Sequence, residues 1–174
     1  MKSNLFKISL LLLAVTLYRC AGTINTVNYL PKSHNLYKNA YIVSAENSKF
    51  IEFKFGIVTP FVYYVPPDDP AVDHEIIGNT DLVIKQELEK YGISVVIGKR
   101  GDLPKDFDLI VEYNDTWRWD FKEIIDKLEI AFISPSGDSL IAKSTYNISK
   151  NKELHNFPTP EKIVPKMIKE LLEE

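Results

Sequence analysis

Between Asp108 and Tyr146 the chain alternates apolar and polar residues three times over with only short breaks, and this pattern limits the fold more than any other. "DLIVEYNDTWRWD" places Leu109, Val111, Tyr113, Trp117 and Trp119 on one face of a strand, with Glu112, Asn114 and Arg118 opposite. Asp115 falls on the apolar face, which predicts a bulge or an exposed strand end there. "IIDKLEIAFIS" brings Leu128, Ile130 and Phe132 into step, "PSG" at 135–137 makes the turn, and "DSLIAKSTYNIS" returns with Leu140, Ala142 and Tyr146 aligned. Strands joined this closely pair antiparallel, and an apolar side on each requires that one face of the sheet be covered.

Two helices supply the cover. "NTDLVIKQELEKYG" carries an apolar stripe at Ile84, Leu88 and Tyr91, with Asn79 or Thr80 as cap, Asp81 in the first turn and Gly92 as the left-handed stop. At the C-terminus Ile163, Val164, Met167, Ile168, Leu171 and Leu172 form a wider stripe after Thr159 and Pro160. Pro165 predicts either a later start or a kink. Upstream, "AYIVS" (40–44), "KFIEFKFGIV" with Ile51, Phe53 and Phe55 on one face, and "PFVYYV" before Pro66 and Pro67 read as strands, as does Ile93–Ile97; 98–106 reads as a loop. The expected fold class is α+β: a mostly antiparallel sheet with two amphipathic helices packed on one face, a two-layer sandwich.

The 174 residues are 45% hydrophobic and 26% charged, which suits one ordinary globular domain. A net charge of −3, with Lys and Arg spread among the acids, excludes the concentrated basic face that nucleic acid requires. Lys2 and Lys7 precede an apolar run, Ile8–Leu17, too short for the roughly 20 residues of a membrane-spanning helix. It fits the core of a secretory signal peptide over 1–19. The single cysteine, Cys20, closes this run and leaves no partner for an internal disulfide.

"LYRC" (Leu17–Cys20) resembles a bacterial lipobox. Leu17 matches the leucine three places before the cysteine, whereas Arg19 departs from the small residue usual there and Tyr18 is bulky. The resemblance implies cleavage before Cys20 and a lipid on it, making the membrane a partner of the mature chain. A second reading takes Cys20 and Gly22 as the small residues of an ordinary signal-peptidase site and releases a soluble periplasmic or secreted protein beginning at Thr23. Residues 20–38 then read as a lipid-anchored tether, and 39–174 as a single domain.

Chemistry-bearing motifs are sparse. No serine sits in a G-x-S-x-G elbow, and His34, His74 and His155 lie in loop-like segments. The best metal candidate is "DDPAVDHE", where Asp68, Asp69, Asp73, His74 and Glu75 offer oxygen ligands and one imidazole, but its spacing matches no established ion loop. A metal-assisted hydrolase would use this loop. "WRWD" offers Trp117, Arg118 and Trp119 as a surface for a sugar or a partner protein; against that, both indoles continue the apolar face and can roof the core.

The stretch Tyr113–Tyr146, with a Trp-containing strand followed by a hairpin built on "GDSLIA", is similar to small uncharacterised envelope lipoproteins of Gram-negative bacteria. More loosely, the helix–strand order is similar to that of periplasmic accessory lipoproteins that assist larger machines. The resemblance implies no catalytic residues and no cofactor. The function expected is that of a non-enzymatic cell-envelope lipoprotein, facing the periplasm and binding a protein or envelope component. The alternatives are the metal-assisted hydrolase and a small-ligand carrier with an aromatic groove.

Overall fold

The computed structural model describes residues 23–30, 37–52, 54–58, 61–65, 71–102, 106–119, 121–136, 139–148 and 157–173, with 54–58 and 61–65 described by their backbone. The strands are β1 (Thr23–Asn28), β2 (Asn39–Val43), β3 (Ser48–Ile51), β4 (Lys54–Val58), β5 (Phe61–Val65), β6 (Val72–His74), β7 (Ser94–Gly98), β8 (Leu109–Trp119), β9 (Glu123–Ile133) and β10 (Leu140–Asn147). The helices are α1 (Thr80–Lys90) and α2 (Pro160–Leu172).

The chain is α+β, built on an open, mixed sheet of eight strands in the order β1-β10-β9-β8-β2-β7, with β3 also paired to β8 and β6 to β3. The predicted meander β8-β9-β10 is antiparallel. Beyond β8 the sheet becomes parallel: β2 runs parallel to both β8 and β7. The reason is legible in "AYIV". Ala40, Tyr41, Ile42 and Val43 are all buried, the continuous apolar signature of a central strand covered on both sides. Parallel neighbours need a crossover, and α1, placed between β6 and β7, supplies it.

Three local expectations are corrected. Residues 23–28, read as tether, form the edge strand β1 against β10; Ile24 packs on the core, and the Thr26 hydroxyl bonds Ser144 at 2.9 Å and Glu170 at 2.7 Å. "KFIEFKFGIV" is not one strand. β3 ends at Ile51, and β4 pairs with β5 in a separate two-stranded sheet; Phe53 lies outside the described residues. In α1, Tyr91 is exposed and follows the last helical residue, so the buried face is Thr80, Val83, Ile84, Glu87 and Leu88. Gly92 ends the helix with a positive φ, as expected.

The irregularity predicted at Asp115 falls between Thr116 and Trp117, where Asp126 of β9 is the unmatched residue. Asp115 itself is buried, and the Thr80 hydroxyl donates to its Oδ2 at 2.9 Å. Helix α2 runs through Pro165 from Thr159 at its cap, with Ile163, Val164, Met167, Ile168 and Leu171 buried. α1 and α2 pack on each other, α1 also on β7, and α2 on β10, β1 and β9. The Glu161 carboxyl is held below the ordinary glutamate range by hydrogen bonds from the Thr159 hydroxyl and its own backbone N–H, with a further bond from Asn79. That last bond ties the starts of the two helices together. One large cluster joins the buried helix residues to Ala40, Ile42, Leu109, Val111, Tyr113, Ile130 and Phe132, while Tyr41, Val43 and Ile110 form a second, smaller one with Phe107 and Ile133 beside it.

Candidate functional site

Strand β8 changes neighbours part-way along its length. β2 partners Leu109–Val111 and β3 partners Thr116–Arg118, so among the described residues neither supplies a partner for Glu112–Asp115. The chain between β2 and β3 turns out of the sheet here, and a crevice of about 530 Å³ opens in the gap. Its walls are Val43 at the end of β2 with Ser44, Ala45 and Glu46 after it, Lys99 and Arg100 after β7, and Glu112, Tyr113 and Asn114 of β8. The crevice therefore lies outside the carboxyl ends of two parallel strands, where open sheets commonly take ligands. Its volume falls within the small-molecule range.

Several bonds fix these walls. The Ser44 N–H donates to the Gly98 carbonyl at 2.9 Å, and the Tyr41 hydroxyl donates to the Lys99 carbonyl at 3.0 Å. Ala45 donates its backbone N–H to the Tyr113 hydroxyl. Burial pushes the Tyr113 phenol well above the ordinary tyrosine range, reinforced by the nearby Asp81 carboxylate, so it stays neutral throughout the physiological range. Arg100 reaches Glu112 at 2.6 Å, with the guanidinium side chain largely exposed. Lys99 and Glu46 add one charge of each sign. With Tyr113 the one aromatic among its described lining residues, the crevice differs from the aromatic groove expected of a carrier, and its mixed charge suits a polar partner.

The structure separates the residues that the sequence grouped. Trp117 is 4% exposed and belongs to the core, whereas Trp119 is 60% exposed beside the β8–β9 turn. As a surface element Trp117 drops out, because the irregularity opposite Asp126 and the close approach of Gly78 seat its ring inside. Arg118 is mostly covered and pairs with Asp126 at 3.2 Å. Burial pushes the Asp126 carboxyl above the ordinary range, and the Arg118 charge offsets part of that shift.

Of the candidate metal ligands, Asp68 and Asp69 lie outside the described residues. Asp73 and His74 belong to β6 and Glu75 follows it; all three are exposed, and the His74 ring lies 5.5 Å from that of Phe50. Among the described residues no group of three or more His, Cys, Asp or Glu side chains is placed to hold a metal. Nor, among them, is any helix long and apolar enough to cross a membrane. Cys20 and the leader lie outside the described residues. Sequence reading missed the crevice, whose walls come from three separate segments; the one local signal was the uninterrupted "AYIV" run.

No family model and no curated protein matches the chain. Solved structures do. A PelC dodecamer from Paraburkholderia phytofirmans in space group C2 is similar at a TM-score of 0.51 and 11% identity, over 88% of this chain and 100% of that one. The same protein in space group P6 gives 0.47 at 11% identity, over 87% and 95%. A DUF4136 family protein from Bacteroides thetaiotaomicron gives 0.49 at 8% identity, over 86% and 95%. The first of these likenesses is one of fold, and it extends over the whole of the PelC chain.

Proposed function

We propose that the chain is a non-enzymatic cell-envelope lipoprotein, anchored through a lipid on Cys20 and facing the periplasm, whose domain binds a protein or envelope component. In this reading the domain is a two-layer sandwich, with α1 and α2 on one face and the cluster around Tyr41, Val43 and Ile110 on the other. The observation that carries the binding role is the crevice at the gap between β2 and β3, whose mixed charges and open β8 segment suit a polar chain more than an apolar small molecule. A peptide or polymer segment would meet Lys99 and Glu46 beside the Arg100–Glu112 pair.

Site-specific photocrosslinking in cells tests this. A crosslinking residue at the exposed Asn114 should give a discrete adduct that Arg100→Ala weakens, while one at the exposed Gln86 on α1 should give none. An adduct of two copies would make the partner a second copy of this chain, as the PelC structures are dodecamers. No adduct from Asn114, or the same adduct from both positions, would contradict the assignment.

A further inference from the structure

Strand register fixes which end of the sheet receives the N-terminal segment. Thr23 is level with Asn147, Asn147 with Lys127, and Lys127 with Thr116. β8 runs toward its turn with β9 from this level while β1 runs away from it, so the chain enters β1 at the end of the sheet that bears the β8–β9 turn. Trp119 stands three residues beyond Thr116, roughly 10 Å at the strand rise. Cys20 precedes Thr23 by the same three residues and reaches at most about 10 Å beyond it. The chain leading to Cys20 thus enters from the end of the sheet that carries the indole, with β1 and β8 three strand spacings, or roughly 14 Å, apart.

That end exposes two aromatic rings. Trp119 is 60% exposed and Phe121 76%. Phe121 holds a φ of 58°, a left-handed conformation that bulky side chains rarely adopt and that places a ring where a turn favours glycine or asparagine. The β4–β5 hairpin is inserted at the same end, since β3 finishes at Ile51 level with Arg118 and β6 begins at Val72 opposite Phe50. Its sequence from Phe55 to Val65, "FGIVTPFVYYV", contains no charged residue, and a two-stranded sheet by itself is marginal in water.

We propose that this end of the domain seats on the bilayer that holds the anchor, with Trp119 and Phe121 entering its interfacial layer. The proposal rests on the lipoprotein reading of Cys20. Indole rings concentrate at membrane interfaces because the ring is apolar and its N–H is satisfied by headgroups and water. Lys122, beside Phe121 and 4.8 Å over the Phe157 ring, places a cation at headgroup level. Asn114 of the crevice, five residues back along β8, is then held roughly 16 Å above the surface.

The test uses the full mature protein, reconstituted in phosphatidylethanolamine–phosphatidylglycerol vesicles containing lipids brominated near the headgroup. Bromine should quench a fraction of the tryptophan emission, and Trp119→Phe should abolish that fraction while leaving the emission of buried Trp117. Phe121→Gly suits the backbone, so it should keep the fold while reducing the quenching. Emission untouched by brominated lipid but still quenched by acrylamide would overturn the proposal. So would protection of Trp119 from both quenchers, which would place a protein or a second copy over the turn. Intact mass of the same sample separates the two ideas: lipid on Cys20 without quenching refutes the seating alone, and a chain without lipid refutes the anchor and the seating with it.

Discussion

Replacing Gly78 with alanine should destabilise the domain far more than the same change at Gly92. Both glycines hold left-handed backbone, at φ 75° and 78°, and a Cβ in that conformation costs about 1–2 kcal/mol. Their surroundings differ. A Cβ on Gly78 would meet Trp117 Cη2 at 2.9 Å and Cζ2 at 3.0 Å, whereas on Gly92 it would meet nothing within 4 Å. The Trp117 ring has no room to retreat, since it is 4% exposed and lies in the main core cluster. Overpacking of this kind adds about 1–3 kcal/mol, so Gly78→Ala should lose about 2–5 kcal/mol in all, a large share of the 5–15 kcal/mol that holds a typical domain. Urea titration followed by tryptophan emission and circular dichroism reads this as a lowered midpoint at unchanged slope. Equal losses at the two positions would refute the claim that Gly78 exists to admit the Trp117 ring, and with it the division of labour between Trp117 and Trp119.

Three further outcomes follow from the core and the sheet. Thr80→Val removes the donor to Asp115 Oδ2, and among the described residues Oδ1 already has no partner; stability should fall by about 1.5–3 kcal/mol, with Thr80→Ser recovering most of it in the same urea titration. Met167→Ala, at a fully buried position on α2, should cost about 2–5 kcal/mol by thermal melting. Burial raises the Glu129 carboxyl, but hydrogen bonds from Lys127 and Lys143 outweigh it and the net shift is downward. Its ionised form thus adds stability above the ordinary glutamate value of 4.5 that is lost as the pH falls through the lower folded-state value. Because the lysines are partly exposed, Glu129→Gln should lose at most about 1 kcal/mol at neutral pH. The gap should close in acid, and one that stays constant with pH would contradict the pairing.

Much of this fold was readable in the sequence because the signals were local. The meander from Leu109 to Asn147 announced itself by alternation, and α2 by a stripe wide enough to override Pro165. Failures arose where local pattern and tertiary context diverge. β1, "TINTVN", carries two large apolar residues in six, and its edge position needs only one half-covered face, so composition alone marked it as a spacer. Trp119 continued the apolar face of β8 in the sequence. The extra residue at Asp126 and the end of the helical cover leave it in solvent. The parallel block was signalled by four consecutive buried residues in β2, but register among β2, β7 and β8 is a relation between distant segments. The crevice inherits that difficulty, since it exists only because β8 outlasts β2 and meets β3 after a gap of four residues.

The most direct test of the account is the intact mass of the mature protein isolated from envelope membranes, beside a Cys20→Ser variant. The account predicts a chain that starts at Cys20, carries the mass of an attached lipid and partitions into detergent, with Cys20→Ser lacking the lipid and the partitioning. A mature chain beginning at Thr23, unmodified and in the aqueous phase, would contradict it.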